Sequence, residues 1–239
     1  MGSETGVLIL TCNDDVHACA VDFVLREIGV NSWLVNLDNL SGDPSSSLDF
    51  SRSGEPFFEI GEFSGSVKEI SASWTRRITG AFDWPSDVSR HDRDFANSNL
   101  SLFVKGILSI LDDNFPVNHS SALYASANKF RQLSFAKKCG LQIPKTLISN
   151  NADEIFQFLE NHSDVCVKPY LTHRWVTDEG AFSPRTVRIS RDTVPSRRSL
   201  EVAPHFYQTF IKKKSEYRLT MFGRHAACSR ILTEKLSDQ

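Results

Sequence analysis

The sequence predicts an α/β protein of two domains, and three observations lead to this prediction. The chain has 239 residues, which exceeds the commonest size of a single domain. Its opening segment reads as strand, helix and strand, which is the βαβ unit of a doubly wound sheet. Short strands and helices alternate again beyond Pro116–Asn118, where a long helical pattern is interrupted. We therefore predict a domain boundary there, with domains at residues 1–117 and 118–239.

The first domain opens with the apolar run Gly6–Leu10, which is typical of a strand buried on both faces. Asn13–Asp15 offer side-chain oxygens that can cap a following helix, and Gly29 is expected to end it. Ser32–Leu37 is predicted to be the second strand. Between the first strand and the helix there is no glycine, so a Rossmann-type nucleotide site is not expected here. The predicted apolar stripe of the helix is Val16, Ala20, Phe23, Val24 and Ile28.

The rest of the first domain is expected to complete the sheet and cover it. Leu48–Phe50 and Pro56–Ile60 resemble two strands of a hairpin, and Val67–Arg77 is expected to return to the sheet. A helix is predicted from about Asp92 to Leu111. Its apolar stripe comprises Phe95, Leu100, Phe103, Ile107, Leu108 and Leu111.

The second domain is expected to begin with a helix at Ser126–Cys139, ended by Gly140. A strand at Ile143–Ile148 and a helix at Ala152–Glu160 should follow. Two further strands are then predicted, at Val165–Lys168 and at Arg185–Ser190.

The composition excludes several classes of protein. A net charge of -2 gives no general attraction for nucleic acid or for an anionic membrane. No segment approaches the roughly 18 apolar residues of a membrane span, and no secretory signal opens the chain. The 5 cysteines form no CxxC pair, which favours buried thiols in a reducing compartment over metal ligation. We expect a cytoplasmic protein.

Two lysines are candidates for holding phosphate groups. Lys129 lies at a predicted helix start, where backbone N–H groups and the helix dipole also favour an anion. Lys168 ends an apolar strand, where partial desolvation would strengthen its charge. Either lysine alone could be a solvated surface residue. The pair in this order, with Pro169 following, indicates a phosphate site.

A base and a sugar could be held by the segment that follows. Phe206–Ile211 offers a flat apolar slot, and Gln208 could read an amino group, although an ordinary strand would have the same pattern. Glu216 suits two ribose hydroxyls, and an ion pair with Arg218 or a neighbouring lysine is the alternative. Arg218 could brace a γ-phosphate or a substrate carboxylate.

This ordered set of motifs resembles the ATP-grasp superfamily, and more closely the graspetide (microviridin-type) ligases that mature ribosomal peptides. The resemblance covers nearly the whole chain. It is carried by the helix ending at Gly29 and by the segments Trp74–Arg77, Asn118, Asn128–Leu133, Ala136, Gly140–Leu147, Asn150, Val167–Pro169, Gln208 and Glu216–Thr220.

The resemblance implies a pre-ATP-grasp (Rossmann-like βαβ) domain followed by an incomplete ATP-grasp fold. Such enzymes activate Asp or Glu side chains of a precursor peptide as acyl phosphates, which a hydroxyl or amine then attacks to give an ester or amide cross-link. Lys129 and Lys168 would hold phosphates, and Glu216 would hold ribose. Adenine would be held by Gln208 with the backbone of Thr209 and Ile211. Residues 171–184 would form a lid, and Arg218 would act in catalysis.

The resemblance also implies partners. A precursor peptide with leader and core is expected, a homodimer is usual, and neither nucleic acid nor membrane is involved. Trp74, Arg76 and Arg77 would contact the leader or the activated carboxylate, or they are a structural tryptophan capped by exposed arginines.

The expected magnesium ligands are the departure from the pattern. Family members carry a Glu-x-Asn pair beyond the position of Gln239, so we expect the ligands for Mg²⁺ beyond this residue. Glu234 and Asp238 are candidates by residue type only, and no metal ligand is assigned. The alternatives to a peptide ligase are therefore a truncated, non-catalytic homologue that binds leader peptide or nucleotide, and a RimK-type carboxylate-amine ligase.

Overall fold

The computed structural model describes residues 5–41, 46–52, 54–78, 82, 84–170, 175–177, 180–182 and 185–232, and it has the predicted α/β architecture. The helices are α1 (Val16–Glu27), α2 (Arg90–Leu111), α3 (Ser120–Ala127), α4 (Lys129–Lys138), α5 (Ala152–Asn161) and α6 (Arg197–Leu200). The first seven strands are β1 (Gly6–Thr11), β2 (Ser32–Asn36), β3 (Ser47–Asp49), β4 (Phe57–Ile60), β5 (Phe63–Ser66), β6 (Ile70–Thr75) and β7 (Pro116–Val117). The others are β8 (Thr146–Ser149), β9 (Val165–Lys168), β10 (Trp175–Thr177), β11 (Gly180–Phe182), β12 (Val187–Ile189), β13 (His205–Thr209), β14 (Glu216–Phe222) and β15 (His225–Ile231).

The chain forms two compact units, Met1–Gln132 and Leu133–Gln239, which divide within α4. Compact units and functional domains need not coincide. The functional boundary expected after residue 117 therefore stays a prediction.

The first unit contains a parallel sheet in the order β2-β1-β6-β7. Leu8, Ile9 and Leu10 of β1 are each 0% exposed, so the prediction of a strand buried on both faces is confirmed. The chain leaves β1 toward β2 on one side and later returns to β6 on the other. Pro116–Val117, which we expected only to interrupt the chain, is instead an edge strand paired with β6. A proline is tolerated there because an edge strand leaves one row of N–H groups unused.

Helix α1 has the predicted ends but not a buried apolar stripe. The Asp15 side chain caps it by accepting a bond from His17 N, and Gly29 ends it with a φ of 76°. The helix packs through Ala18, whereas Phe23 is 63% exposed and Val16 is 72% exposed. Helical spacing determines which side chains share a face, but it does not determine whether another element covers that face.

The remaining core of the first unit joins α2 to a second sheet of order β3-β4-β5. The predicted hairpin of β3 and β4 is confirmed, and β5 is a strand that the sequence did not reveal. In α2, Ile107 and Leu111 are buried as expected. Phe95 is 75% exposed, because the stripe extends past the buried cluster toward the start of the helix.

The helix predicted at Ser126–Cys139 is in fact two helices. Ser126 lies near the end of α3, and Asn128 separates α3 from α4. Asn128 Oδ1 accepts bonds from Phe130 N at 3.0 Å and from Arg131 N at 3.2 Å, which is an N-cap. Lys129 therefore begins a helix, as expected. Gly140 has a φ of 73° after the end of α4, consistent with its predicted role as the stop.

The second unit contains an antiparallel sheet in the order β12-β9-β13-β8, with α5 packed against one face. Ile155 and Leu159 of α5 are buried with Tyr207 and Val165 of the sheet. Strand β8 begins at Thr146 rather than at Ile143, after Pro144, whose ring removes a ladder donor.

Two hairpins complete the described part of the second unit, β10–β11 and β14–β15. The first falls within the expected lid. Residues 171–174, 178–179 and 183–184 of that lid lie outside the described residues, as do Glu234 and Asp238. None of the helices in the described ranges combines the length and apolar character needed to cross a membrane.

Candidate nucleotide-binding site

Lys168 and Gln208 lie on the same face of the sheet in the second unit. Tyr207 belongs to the buried cluster with α5, so its neighbour Gln208 on β13 faces away from that helix. On β9, Val167 packs against this cluster, and its neighbour Lys168 faces away from it. The strand register pairs Phe206 with Lys168. Two residues selected from the sequence are thus brought onto one face of the sheet, the face opposite α5, which we call the open face. Cys166, Phe206 and Gln208 on this face are buried.

The open face carries a half-buried positive charge. Lys168 forms no ion pair with any residue in the described part of the chain, and it ends β9. Cys166, also on this face, is buried. Burial raises the pKa of its thiol, the positive charge of Lys168 opposes this rise, and the negative charge of Asp164 adds to it. Since no described residue pairs with the ammonium group of Lys168, this group is a candidate to bind an anion.

The backbone around Gln208 is largely occupied by the sheet. Thr209 N donates to the carbonyl oxygen of Lys145 over 3.0 Å, and Thr209 Oγ1 accepts from Lys145 N over 3.2 Å. A base contact to the backbone of Thr209 would therefore have to use its carbonyl oxygen. Ile211 follows the strand and is 57% exposed. The assignment of adenine contacts to these two residues stays a prediction.

Glu216 and Arg218 share one face of the β14–β15 hairpin, because they are two residues apart on β14. Glu216 forms an ion pair with Lys213, which is the alternative to a ribose contact that the sequence left open. Arg218 is exposed. The ribose role of Glu216, the catalytic role of Arg218 and the phosphate role of Lys129 stay predictions.

Arg76 in the first unit has a structural partner. Its Nε donates to Asp15 Oδ2 over 2.7 Å, and Thr11 Oγ1 donates to the same oxygen over 2.9 Å. The Asp15 side chain is 0% exposed. Burial alone would raise the pKa of Asp15, but the bonds from Thr11 and the charge of Arg76 outweigh it and lower that pKa. Arg76 therefore neutralises a buried carboxylate.

The two other residues of this segment differ from Arg76. Arg77 is exposed and has a left-handed φ of 52°. Trp74 is half-buried and pairs with Ile9 in the register of β6 on β1. The expected contacts of Trp74, Arg76 and Arg77 with a peptide stay predictions.

Sequence reasoning missed Thr146 and the pairing of Asp15. Thr146 accepts a hydrogen bond from Gln208, which lies 62 positions away along the chain, and Asp15 lies 61 positions from Arg76. No local pattern signals contacts at such separations. An aspartate at the predicted start of α1 signals a helix cap, and nothing in its local sequence indicates that Arg76 will pair with it.

Metal ligands are not gathered in the described ranges. No group of three or more His, Cys, Asp or Glu side chains in these ranges could hold a metal ion.

Comparisons with known proteins identify the fold. No protein-family model matches the chain, and no curated protein sequence gives a significant match. Solved structures do match. The macrocyclase MdnC of Microcystis aeruginosa MRC, bound to precursor peptide MdnA, is 23% identical with a TM-score of 0.81, over 95% of this chain and 75% of that one. A RiPP-associated ATP-grasp ligase of Chryseobacterium gregarium, in complex with ADP and a leader and core peptide, is 23% identical with a TM-score of 0.78, over 97% and 70%.

A more distant match is the RimK domain protein ATP-grasp of Sphaerobacter thermophilus DSM 20745. It is 13% identical with a TM-score of 0.55, over 96% of this chain and 74% of that one. The architecture is therefore that of the ATP-grasp ligases. Among these, the chain is more similar to the two peptide-bound enzymes than to the RimK domain protein, which confirms the predicted resemblance.

Proposed function

We propose that this protein is an ATP-dependent ligase that cross-links a ribosomal precursor peptide. The observation that carries the proposal is the structural likeness to ligases bound to such peptides, which extends over 95% or more of the chain. The RimK-type alternative has a lower TM-score, 0.55 against 0.81, and is therefore the weaker candidate.

The proposed chemistry begins with a side-chain carboxylate of the peptide. Its oxygen attacks the γ-phosphorus of ATP, ADP leaves, and an acyl phosphate forms. A hydroxyl or amine of the same peptide then attacks the acyl carbon, and phosphate leaves with the formation of an ester or amide. In such a reaction the protein chiefly positions the groups and stabilises charge.

The open face supports nucleotide binding in this proposal. Lys168 supplies a positive charge without an ion-pair partner among the described residues, and Gln208, two residues after the register partner of Lys168, lies on the same face of the neighbouring strand. Lys129, Glu216 and Arg218 complete the proposed set for phosphate, ribose and transferred phosphoryl group. The precursor would also contact Trp74 and Arg77, and a homodimer is the expected assembly.

Nucleotide binding is tested by isothermal titration with Mg-ATP. Replacing Lys168 with alanine should weaken binding about tenfold or more, since a hydrogen bond to a charged group is worth about 1.5–3 kcal/mol. The matched control is Lys105→Ala, which removes an exposed lysine of α2 in the other unit. Equal affinities for the two variants would contradict the phosphate role of Lys168.

Ligation is tested by mass spectrometry of a precursor peptide incubated with the protein and Mg-ATP. Each cross-link should remove one water from the peptide mass, and omission of ATP should abolish the loss. A precursor that binds but keeps its mass would instead support the alternative, a non-catalytic protein that binds leader peptide or nucleotide.

A further inference from the structure

Gln208 is buried in the sheet of the second unit, yet part of its polar end has no partner among the residues that the structure describes. The residue is 5% exposed and lies on the open face with Lys168. A buried carboxamide normally has its donors and acceptor satisfied. The state of its two polar atoms therefore indicates what the open face is built to contact.

The nitrogen of this carboxamide is held by a chain of two hydrogen bonds. Gln208 Nε2 donates to Thr146 Oγ1 over 2.9 Å. Thr146 Oγ1 in turn donates its only proton to the carbonyl oxygen of Pro144 over 2.9 Å. The hydroxyl must therefore accept from its other neighbour, and only the NH₂ group of Gln208 can donate to it.

This chain of bonds selects one of the two orientations of the amide. If the amide turned over, its oxygen would face the oxygen of Thr146. The hydroxyl would then have to leave Pro144 to bond it. Turning therefore costs a partly buried hydrogen bond, and the Gln208 oxygen is fixed on the side away from Thr146.

The Gln208 oxygen is open to a ligand. Gln208 Oε1 accepts no hydrogen bond from any residue that the structure describes. Among the described side chains, only Ser46 Oγ is both fully buried and unpartnered, so solvent reaches Gln208 Oε1. The open face thus presents a fixed hydrogen-bond acceptor on the same side of the sheet as the charge of Lys168.

We propose that Thr146 positions Gln208 so that Gln208 Oε1 accepts a bond from the exocyclic 6-amino group of a purine nucleotide. Thr146 would thereby make the site prefer a 6-amino purine to a 6-oxo purine. This inference rests on the proposed function, because it requires that the open face holds the nucleotide.

The selectivity follows from hydrogen-bond complementarity. A 6-amino group donates to the fixed oxygen, whereas the 6-oxo group of hypoxanthine or guanine would place a second acceptor against it. Sites built for a hydrogen bond reject ligands that leave a buried polar group unpaired. A freely turning amide could serve either base, so the preference depends on the Thr146 bond.

The test compares the Kd values of ATP and inosine triphosphate, which differ in this exocyclic group, for the unaltered chain and its variants. Thr146→Val keeps the shape of the side chain but removes the hydroxyl. We expect it to lower the preference for ATP by about tenfold, mainly by improving inosine triphosphate binding relative to ATP. Thr146→Ser keeps the hydroxyl and should retain the preference.

A purely structural role of Thr146 would weaken both nucleotides alike and leave their ratio unchanged. Circular dichroism of each variant verifies folding. If Thr146→Val does not fold, Gln208→Met, which removes the acceptor, must abolish the preference in its place. If Thr146→Val binds ATP with the same ratio of the two Kd values as the unaltered chain, this inference is overturned and the proposed function stays intact. The same holds for Gln208→Met where it replaces Thr146→Val in the test. A failure of the unaltered chain to bind either nucleotide would overturn both.

Discussion

Replacing Arg76 with methionine should destabilise the first unit by about 2–3 kcal/mol at pH 7. The substitution keeps much of the side-chain length but leaves the Asp15 carboxylate, which is 0% exposed, without its cation. Removing one partner of a buried ion pair costs about 3–5 kcal/mol. We place the value lower, because Arg76 is 29% exposed and because Thr11 Oγ1 and His17 N still donate to Asp15.

The dependence of this loss on pH follows from the pKa of Asp15. That pKa is lowered in the folded chain, because the bonds from Thr11 and Arg76 outweigh the effect of burial. Its contribution to stability is therefore fully present above the unfolded pKa of about 4 and is lost as the pH falls through the folded pKa. The difference between the variant and the unaltered chain should be full at pH 7. It should shrink as the pH falls through the pKa of Asp15 in the variant, which lacks the lowering effect of Arg76, and should be lost below the lowered pKa of the unaltered chain.

Urea unfolding followed by tryptophan fluorescence measures the effect. Three of the 4 tryptophans, Trp33, Trp74 and Trp84, lie in the first unit, so the signal reports chiefly on this unit. The midpoint should fall by about 1 M, given a typical slope of about 2 kcal/mol/M.

The matched control for Arg76 is its neighbour. Arg77→Met removes an exposed arginine and should change stability by less than about 0.5 kcal/mol. Adding Asp15→Asn to Arg76→Met should restore part of the loss, because the uncompensated charge is then removed. Equal midpoints for Arg76→Met and Arg77→Met would refute the reasoning.

Two further predictions concern backbone conformation and thiol reactivity. Gly29→Ala should cost about 1 kcal/mol in thermal or urea unfolding, since its φ of 76° strains any residue with a Cβ although the added atom meets nothing within 4 Å. Gly106→Ala, equally unobstructed but within helix α2, should stabilise by about 0.4–1 kcal/mol; the same sign for both would contradict this account. Titration with Ellman's reagent at pH 8 should find slow reaction at Cys12 and Cys166, which are buried and whose thiol pKa values burial raises. Rapid labelling of all five thiols would be inconsistent with this burial; the expected fast sites are the exposed Cys19, Cys139 and Cys228.

Much of the fold could be predicted because its signals are local. The apolar run of β1 and the glycines that end α1 and α4 specify their elements within a few residues of sequence. The strand ending at Lys168 was predicted with its observed bounds for the same reason. The resemblance to ATP-grasp peptide ligases was predicted from residue motifs and their order along the chain, and the structural matches confirm it.

The errors occurred where neighbouring elements decide the outcome. The apolar stripe of α1 has regular spacing, but Phe23 and Val24 remain exposed because no described element covers them. Proline usually interrupts helices and strands, yet Pro116 pairs with β6 at the edge of the sheet. Periodicity carries no information about what packs against a face, and composition carries none about which strand lies alongside.

The sequence by itself determined the class of fold and the residue types of the candidate site. Both follow from short residue patterns and from the order of these patterns along the chain. Only the tertiary structure decided which side chains are already engaged. In the folded chain Arg76 forms an ion pair with Asp15, and Glu216 forms one with Lys213. Gln208 donates a hydrogen bond to Thr146. The physical reason is that a polar side chain binds whichever partner folding brings within hydrogen-bond distance. For Arg76 and Gln208, those partners lie 61 and 62 positions away along the chain.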